Sequence, residues 1–207
     1  MSSTGDCDDR GFVKKLENAL FKVFLLSYTE KNKLIVRKSG ACVLPSALTK
    51  VIFAQRLSGC SCYKREVLND LSFDINLKRW GFGEDLDFSY RVYKMHPQSL
   101  YAIPQSKIIH KTSEKARLPS KLRINMITIY WSYIFFKDMY NSSILNLLAF
   151  LWAMTGNLMV PLSVLLVRRK SRSEWLALIY LIGSYATALR NLKNIRMAKL
   201  GFFNKNL

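Results

Sequence analysis

Three carboxylates stand close together at Glu84, Asp85 and Asp87, directly after Trp80-Gly81-Phe82-Gly83. The stretch that follows reads as a helix over Glu84–Met95, stopped by Pro97, so the acids fall in its first turn. A helix N-terminus favours negative charge, and a carboxylate held there stays ionised and can take a proton from a substrate hydroxyl. The glycines before it permit positive φ and close approach of backbone to a ligand. Helix capping alone explains the same acids equally simply.

The elements around this turn follow from periodicity. Val13, Leu16, Leu20, Val23 and Phe24 recur at helical spacing within Phe12–Tyr28. Thr29–Gly40 is charged and turn-rich. Thr49–Leu57 carries the β-branched and aromatic pattern of a strand, and Cys62–Leu71 that of a short helix. On the helix after the acids, Leu86, Tyr90 and Tyr93 share one face and Phe88, Val92 and Met95 another. Gln98–Ile103 and Lys107–His110 read as short strands separated by Pro104, and Lys111–Ser120 as a polar loop.

The rest of the chain changes character. Beyond Arg123 the only acids are Asp138 and Glu174. Ile124–Asn141 is crowded with Trp and Tyr, residues that concentrate where a membrane meets water, and reads as an interfacial helix. Ser143–Val167 holds no charge; roughly 25 residues rising about 1.5 Å each cross a hydrocarbon layer of about 30 Å. Gly156 and Pro161 inside it allow a kink or a re-entrant hairpin. Trp175–Leu189 is a shorter apolar stretch closed by Arg190.

The net charge is +18 over 207 residues, half of them hydrophobic. Lys and Arg in such excess suit nucleic-acid phosphates, anionic lipid, or a phosphate-bearing substrate. Here they flank apolar stretches, at Lys121 and Arg123, at Arg168, Arg169, Lys170 and Arg172, and at Arg190, Lys193, Arg196 and Lys199. That placement favours a membrane partner over nucleic acid. Of the four cysteines, Cys60 and Cys62 are too closely spaced for a zinc knuckle, and with Cys7 and Cys42 they read as free, buried thiols.

The array Gly59, Lys64-Arg65-Glu66, Phe73-Asp74, Gly83-Glu84-Asp85-Leu86-Asp87 and Arg91 resembles, in order and spacing, the second half of a family-2 glycosyltransferase of the GT-A fold. The resemblance runs over about Phe12 to Leu192. It implies an α/β chain: residues 1–123 as the acceptor-side half of a catalytic domain, 124–141 as the interfacial helix, and 142–207 as a membrane region with two hydrophobic helices. It implies inverting transfer from a nucleotide-sugar donor to a hydroxyl of a glycan or lipid-linked acceptor. Asp85 would be the base, with Glu84 orienting it or exchanging roles. Asp87, Arg91, Trp80 and Gly59 would meet substrate. His110 would meet a divalent cation, magnesium or manganese; satisfied by backbone at a strand end, it would be merely structural. Trp80 and Phe82 would stack on a sugar or serve as core aromatics.

The family's donor-binding βαβ unit and its Asp-x-Asp motif are not found before Leu57. Asp6-Cys7-Asp8 has the letters without the strand that the motif needs. Two readings follow: a truncated or split transferase that works with a separate N-terminal half, or a non-enzymatic membrane module or accessory subunit. The transferase reading places residues 1–123 on the cytosolic side of the cell membrane, with a multi-pass or hairpin anchor and a cytosolic Arg168–Arg172 loop.

Overall fold

The computed structural model describes residues 16–79, 81–106, 109, 119–167 and 172–205. The chain is a mixed α/β protein in which helix dominates and the sheets are small. Residues 16–23 are helical (α1). The helix ends earlier than its apolar spacing predicts, because Leu25 turns into the left-handed region at φ 53°. Arg37 caps this end: its guanidinium donates to the carbonyls of Leu26 and Lys22, each at 3.0 Å, and Phe21 at 3.3 Å. The cation thus satisfies carbonyls that no further turn of helix reaches.

Strands β1 (Tyr28–Glu30), β2 (Ile35–Val36) and β3 (Cys42–Pro45) form one sheet in the order β1-β3-β2. β1 runs parallel to β3 with Tyr28 opposite Val43, and β2 antiparallel with Ile35 opposite Val43. The segment expected to be turns therefore contributes two strands. The third, Cys42–Pro45, is too short to show a period. The strand expected over Thr49–Leu57 shrinks to β4 (Ile52–Phe53), paired antiparallel with β5 (Tyr101–Ala102). Beyond Phe53 the backbone takes other partners: Ala54 N–H donates to Leu100 O at 2.9 Å and Gln55 N–H to Leu34 O at 3.0 Å.

Helix α2 spans Arg65–Asp70 and α3 spans Glu84–Met95, the latter with the bounds its sequence predicts. Leu86, Phe88 and Val92 of α3 are buried, whereas Met95 is exposed. Phe88 anchors a cluster with Leu34, Ala54, Val92 and Leu100, and stacks on Phe73 at 4.3 Å between ring centres.

Helix α4 (Ser120–Ile134) continues into a π-helical turn, Phe135–Met139. The aromatic residues expected at a membrane interface are core residues: Tyr130, Tyr133 and Phe135 are all buried, with Ile129 and Ile134 between them. The widened turn has Tyr140 N–H donating to Phe135 O at 2.9 Å, and it carries Lys137 and Asp138 to the side of α3.

Helix α5 runs unbroken over Ile144–Val167 through Pro161, so no re-entrant hairpin forms at Gly156–Pro161. Its stretch Ile144–Ser163 is long and apolar enough to cross a membrane by length and composition, and 28% of its most apolar window is buried within the protein. Gly156 is where α1 lies against it; a Cβ there would collide with the Phe24 side chain. The contact is locked by Trp152, whose Nε1 donates to Val23 O at 2.8 Å.

Helix α6 (Arg172–Arg190) packs on α4 and α5, and α7 (Leu192–Arg196) and α8 (Gly201–Asn204) close the chain. Asn204 of α8 accepts from the Tyr130 hydroxyl and donates to Asn76 O, both at 2.8 Å. The C-terminal helix thereby fixes the loop that leads to the Glu84 turn.

Candidate functional site

The Glu84 turn is shaped by two glycines. Gly81 has φ 49° and Gly83 φ 84°, a region in which side chains are strained. A Cβ on Gly83 would lie 2.6 Å from Ile134 Cδ1, so the turn also sits hard against α4. The glycines aim the start of α3 at a cavity of about 660 Å³.

Glu84, Asp85, Gly59, Gly81, Phe82 and Gly83 all line this cavity, together with Arg56, Cys42, Trp131 and Asn157. Residues from the sheet, the loop after β4, α3, α4 and α5 thus meet in one place. A Cβ on Gly59 would meet open space, so bare backbone is not sterically required there.

Asp85 is half-buried and held at both oxygens. Oδ1 accepts from Leu86 N–H at 2.8 Å, and Oδ2 pairs with the Arg56 guanidinium. Arg56 in turn donates to Leu57 O at 3.0 Å and contacts Cys42 Sγ at 3.8 Å. Burial pushes the Cys42 thiol up, only partly offset by the neighbouring Arg56 charge, so Cys42 is a protonated wall residue. Cys60 and Cys62 are exposed, contrary to the expectation of buried thiols. Glu84 lies beside Asp85 and makes no side-chain hydrogen bond among the described residues; partial burial and the Asp85 charge both raise its pKa. The two acids therefore differ: one is clamped by a cation and the other is unclamped.

Asp87 and Arg91 do not reach the cavity. Asp87 is fully buried and accepts from Arg91 Nη2 at 2.7 Å and from Lys137. Lys137 also donates to Asp74 at 2.6 Å, and the Tyr133 hydroxyl donates to the same Asp74 oxygen at 2.6 Å. Burial acts to raise the pKa of Asp74, but the Lys137 and Tyr133 hydrogen bonds outweigh it and hold the group at about 2. Two residues of the motif array, Asp74 and Asp87, thus serve to bolt α3 onto the π-helical turn.

Asp138 completes this network with the opposite shift. Burial, then the adjacent Asp87 charge, push its carboxyl up to about 7, against the lowering effect of Lys137 and Arg91. Lys94 reaches it only through its backbone, Nζ donating to Asp138 O at 3.0 Å, while Oδ2 makes no hydrogen bond. A carboxyl that binds its proton more tightly when folded loses stability as pH rises. Stability should therefore fall as pH rises from about 4, the unfolded value, through about 7, the folded one. Asp138→Asn should remove most of that slope and raise the melting temperature at alkaline pH. Thermal unfolding across pH checks this; an unchanged slope would rule out Asp138 as its source.

Among the described residues no group of three His, Cys, Asp or Glu comes together to hold a metal ion. Glu84 and Asp85 alone do not complete a donor set. His110 and Trp80, the expected metal and sugar contacts, lie outside the described residues, as do most of Lys107–His110, Asp6-Cys7-Asp8 and the Arg168–Ser171 part of the basic loop.

Arg56 is the site residue that the sequence did not disclose. A single Arg near the end of the expected Thr49–Leu57 strand, 29 positions before its partner, leaves no motif signal. Cys42, Trp131 and Asn157 are likewise brought in only by packing. The chain matches no protein-family model, no curated protein and no solved structure.

Proposed function

We propose that this chain is the acceptor-side half and membrane region of an inverting glycosyltransferase of the family-2, GT-A type. The observation that carries the reading is the placement of Glu84 and Asp85 on the wall of one cavity with Arg56, Gly59 and Phe82. In this reaction the acceptor hydroxyl oxygen bonds to the anomeric carbon of the donor sugar. The bond from that carbon to the diphosphate oxygen breaks, its electron pair leaves with the nucleoside diphosphate, and the configuration inverts. The acceptor proton passes to Asp85. Arg56 holds that carboxylate in position, leaving lone pairs on both oxygens for the incoming hydroxyl. Glu84, beside it on the cavity wall, would orient it or exchange roles with it. A divalent cation, when bound with the donor, would balance the diphosphate charge; the described residues do not supply its complete ligand set.

The membrane part of the proposal rests on α5. Ile144, Leu145, Leu148 and Leu151 are exposed along it, and an apolar exposed face on a helix of this length suits lipid. The catalytic residues would then lie at the cytosolic face, where nucleotide sugars are the donors.

Binding of uridine, guanosine and thymidine diphosphate sugars to the purified chain in detergent, with magnesium or manganese, tests the reading. No binding is expected of the chain alone, because an acceptor-side half lacks the donor-binding unit; supplying the N-terminal half should restore micromolar binding of one donor class. Micromolar binding by the chain alone would overturn the assignment of a missing half, and no binding even with the N-terminal half supplied would make the non-catalytic membrane module the better reading.

A further inference from the structure

A second cavity, of about 460 Å³, lies among α1, α4, α5 and α6. It shares Phe21, Ile127 and Asn157 with the carboxylate cavity, so the two adjoin along a common wall. Its volume falls in the range of about 300–1,000 Å³ typical of small-molecule sites.

The lining is hydrocarbon. Ile124, Val160, Pro161, Leu165, Leu178 and Leu181 supply most of it. Thr128 and Asn157, the polar uncharged side chains in the wall, are each bonded to a neighbour behind it. Thr128 and Ser184 share a buried hydrogen bond of 2.9 Å, and Asn157 Nδ2 donates to the Tyr185 hydroxyl at 3.1 Å. No Lys or Arg lines this cavity, and Glu17 is its one carboxylate. An anionic head group has no partner there. The neighbouring cavity, by contrast, holds Arg56, Asp85 and Glu84. The exposed face of α5, with Leu145, Leu148 and Leu151, is a different surface from the Val160–Leu165 face that lines the cavity.

We infer that the apolar cavity holds the hydrocarbon chain of an amphiphilic acceptor whose hydroxyl-bearing head lies at Asp85. The inference rests on the proposed transferase reading for the role of the head, and on the cavity alone for the chain. An apolar cavity of this size is a poor place for water, which needs two or more polar partners, and a good one for hydrocarbon. Each methylene that enters should raise affinity about fourfold. Affinity should therefore climb with chain length and then level off once the cavity is filled.

The test uses a series of straight-chain primary alcohols and a long-chain alcohol bearing a diazirine at its far end, with the full chain in phosphatidylcholine nanodiscs. Photolabelling is expected at Val160, Leu165 or Leu178. Leu178→Trp, which fills the cavity, should reduce that labelling roughly tenfold or more, as loss of a few buried methylenes requires, with circular dichroism unchanged. Label confined to Leu145, Leu148 and Leu151 would overturn the inference, because the alcohol would then be lying on the outer surface as bulk lipid does. So would affinity independent of chain length. Ala177→Trp is the second variant should Leu178→Trp not fold. Sugar transfer, measured separately with the N-terminal half supplied, keeps the two ideas apart. Cavity labelling without any such transfer would leave the inference about the chain standing and remove the transferase; transfer to short, water-soluble acceptors as efficient as to long ones would do the reverse.

Discussion

Asp85→Asn, which removes the proposed base, should lower the rate of the proposed sugar transfer by about 10²–10⁴-fold, the usual contribution of a positioned general base. The amide keeps the shape of the carboxylate, but its single oxygen replaces only one of two acceptors: turned to Arg56 it gives up the Leu86 N–H bond, a loss at the surface end of α3 that the fold should survive. Donor affinity should change little, because the proton acceptor faces the acceptor hydroxyl and not the nucleotide. The loss should therefore appear in kcat more than in KM for the donor. Glu84→Gln is the paired control and should cost about tenfold or less if Glu84 only orients the proposed base. Measuring both with the donor found by the binding screen assigns the roles. A larger loss at Glu84 than at Asp85 would exchange them, and the raised pKa of Glu84 would then be the property that catalysis uses. Transfer undiminished in both variants would remove this pair from the chemistry altogether.

Lys137→Met should destabilise the protein by about 3 kcal/mol, more than the loss of any exposed ion pair. Lys137 bridges Asp74 and Asp87, the first nearly buried and the second wholly so. Removing the cation leaves two carboxylates with reduced sets of partners: Tyr133 and the Asn76 N–H for Asp74, and Arg91 for Asp87. Those partners place the effect at the lower end of the range for breaking a buried charge network. The proton balance moves with it. Asp74 would rise from its value of about 2 towards that of an ordinary or buried acid. A carboxylate with a depressed folded pKa contributes stability above its unfolded value and loses it as pH falls, so the variant should show a shallower loss of stability on acidification than the parent. Chemical denaturation at neutral and acid pH measures both effects. A destabilisation below about 1 kcal/mol would mean that the bridge is no better than a surface pair.

The two predictions concern residues of one motif array with different fates, and the contrast shows what the amino-acid sequence can and cannot convey. The bounds of α3 were legible because its signals are local: glycine before, acids in the first turn, apolar residues at helical spacing, proline after. The apolar length of α5 was legible for the same reason, since composition alone sets it. The nearness of Glu84 and Asp85 follows from their being adjacent on one helix start. Short strands such as Cys42–Pro45 left no mark, because four residues hold too few alternations to show a period, and their pairing depends on distant chain. The aromatic helix misled for a related reason: Tyr130, Tyr133 and Phe135 have the composition of an interface, but composition does not say which surface covers them.

Tertiary structure alone decided which acids face the cavity. Asp85 and Asp87 are two positions apart on a helix and so project in different directions, one towards Arg56 and the other towards Lys137. The sequence by itself determined that acids cluster at a glycine-framed helix start and that a long apolar helix follows. The cation each acid meets depends on how α3 is seated against the loop after β4 and against the π-helical turn. That seating is set by the burial of Phe88, Val92 and Leu86 among side chains drawn from across the chain, a long-range packing effect that no local pattern encodes.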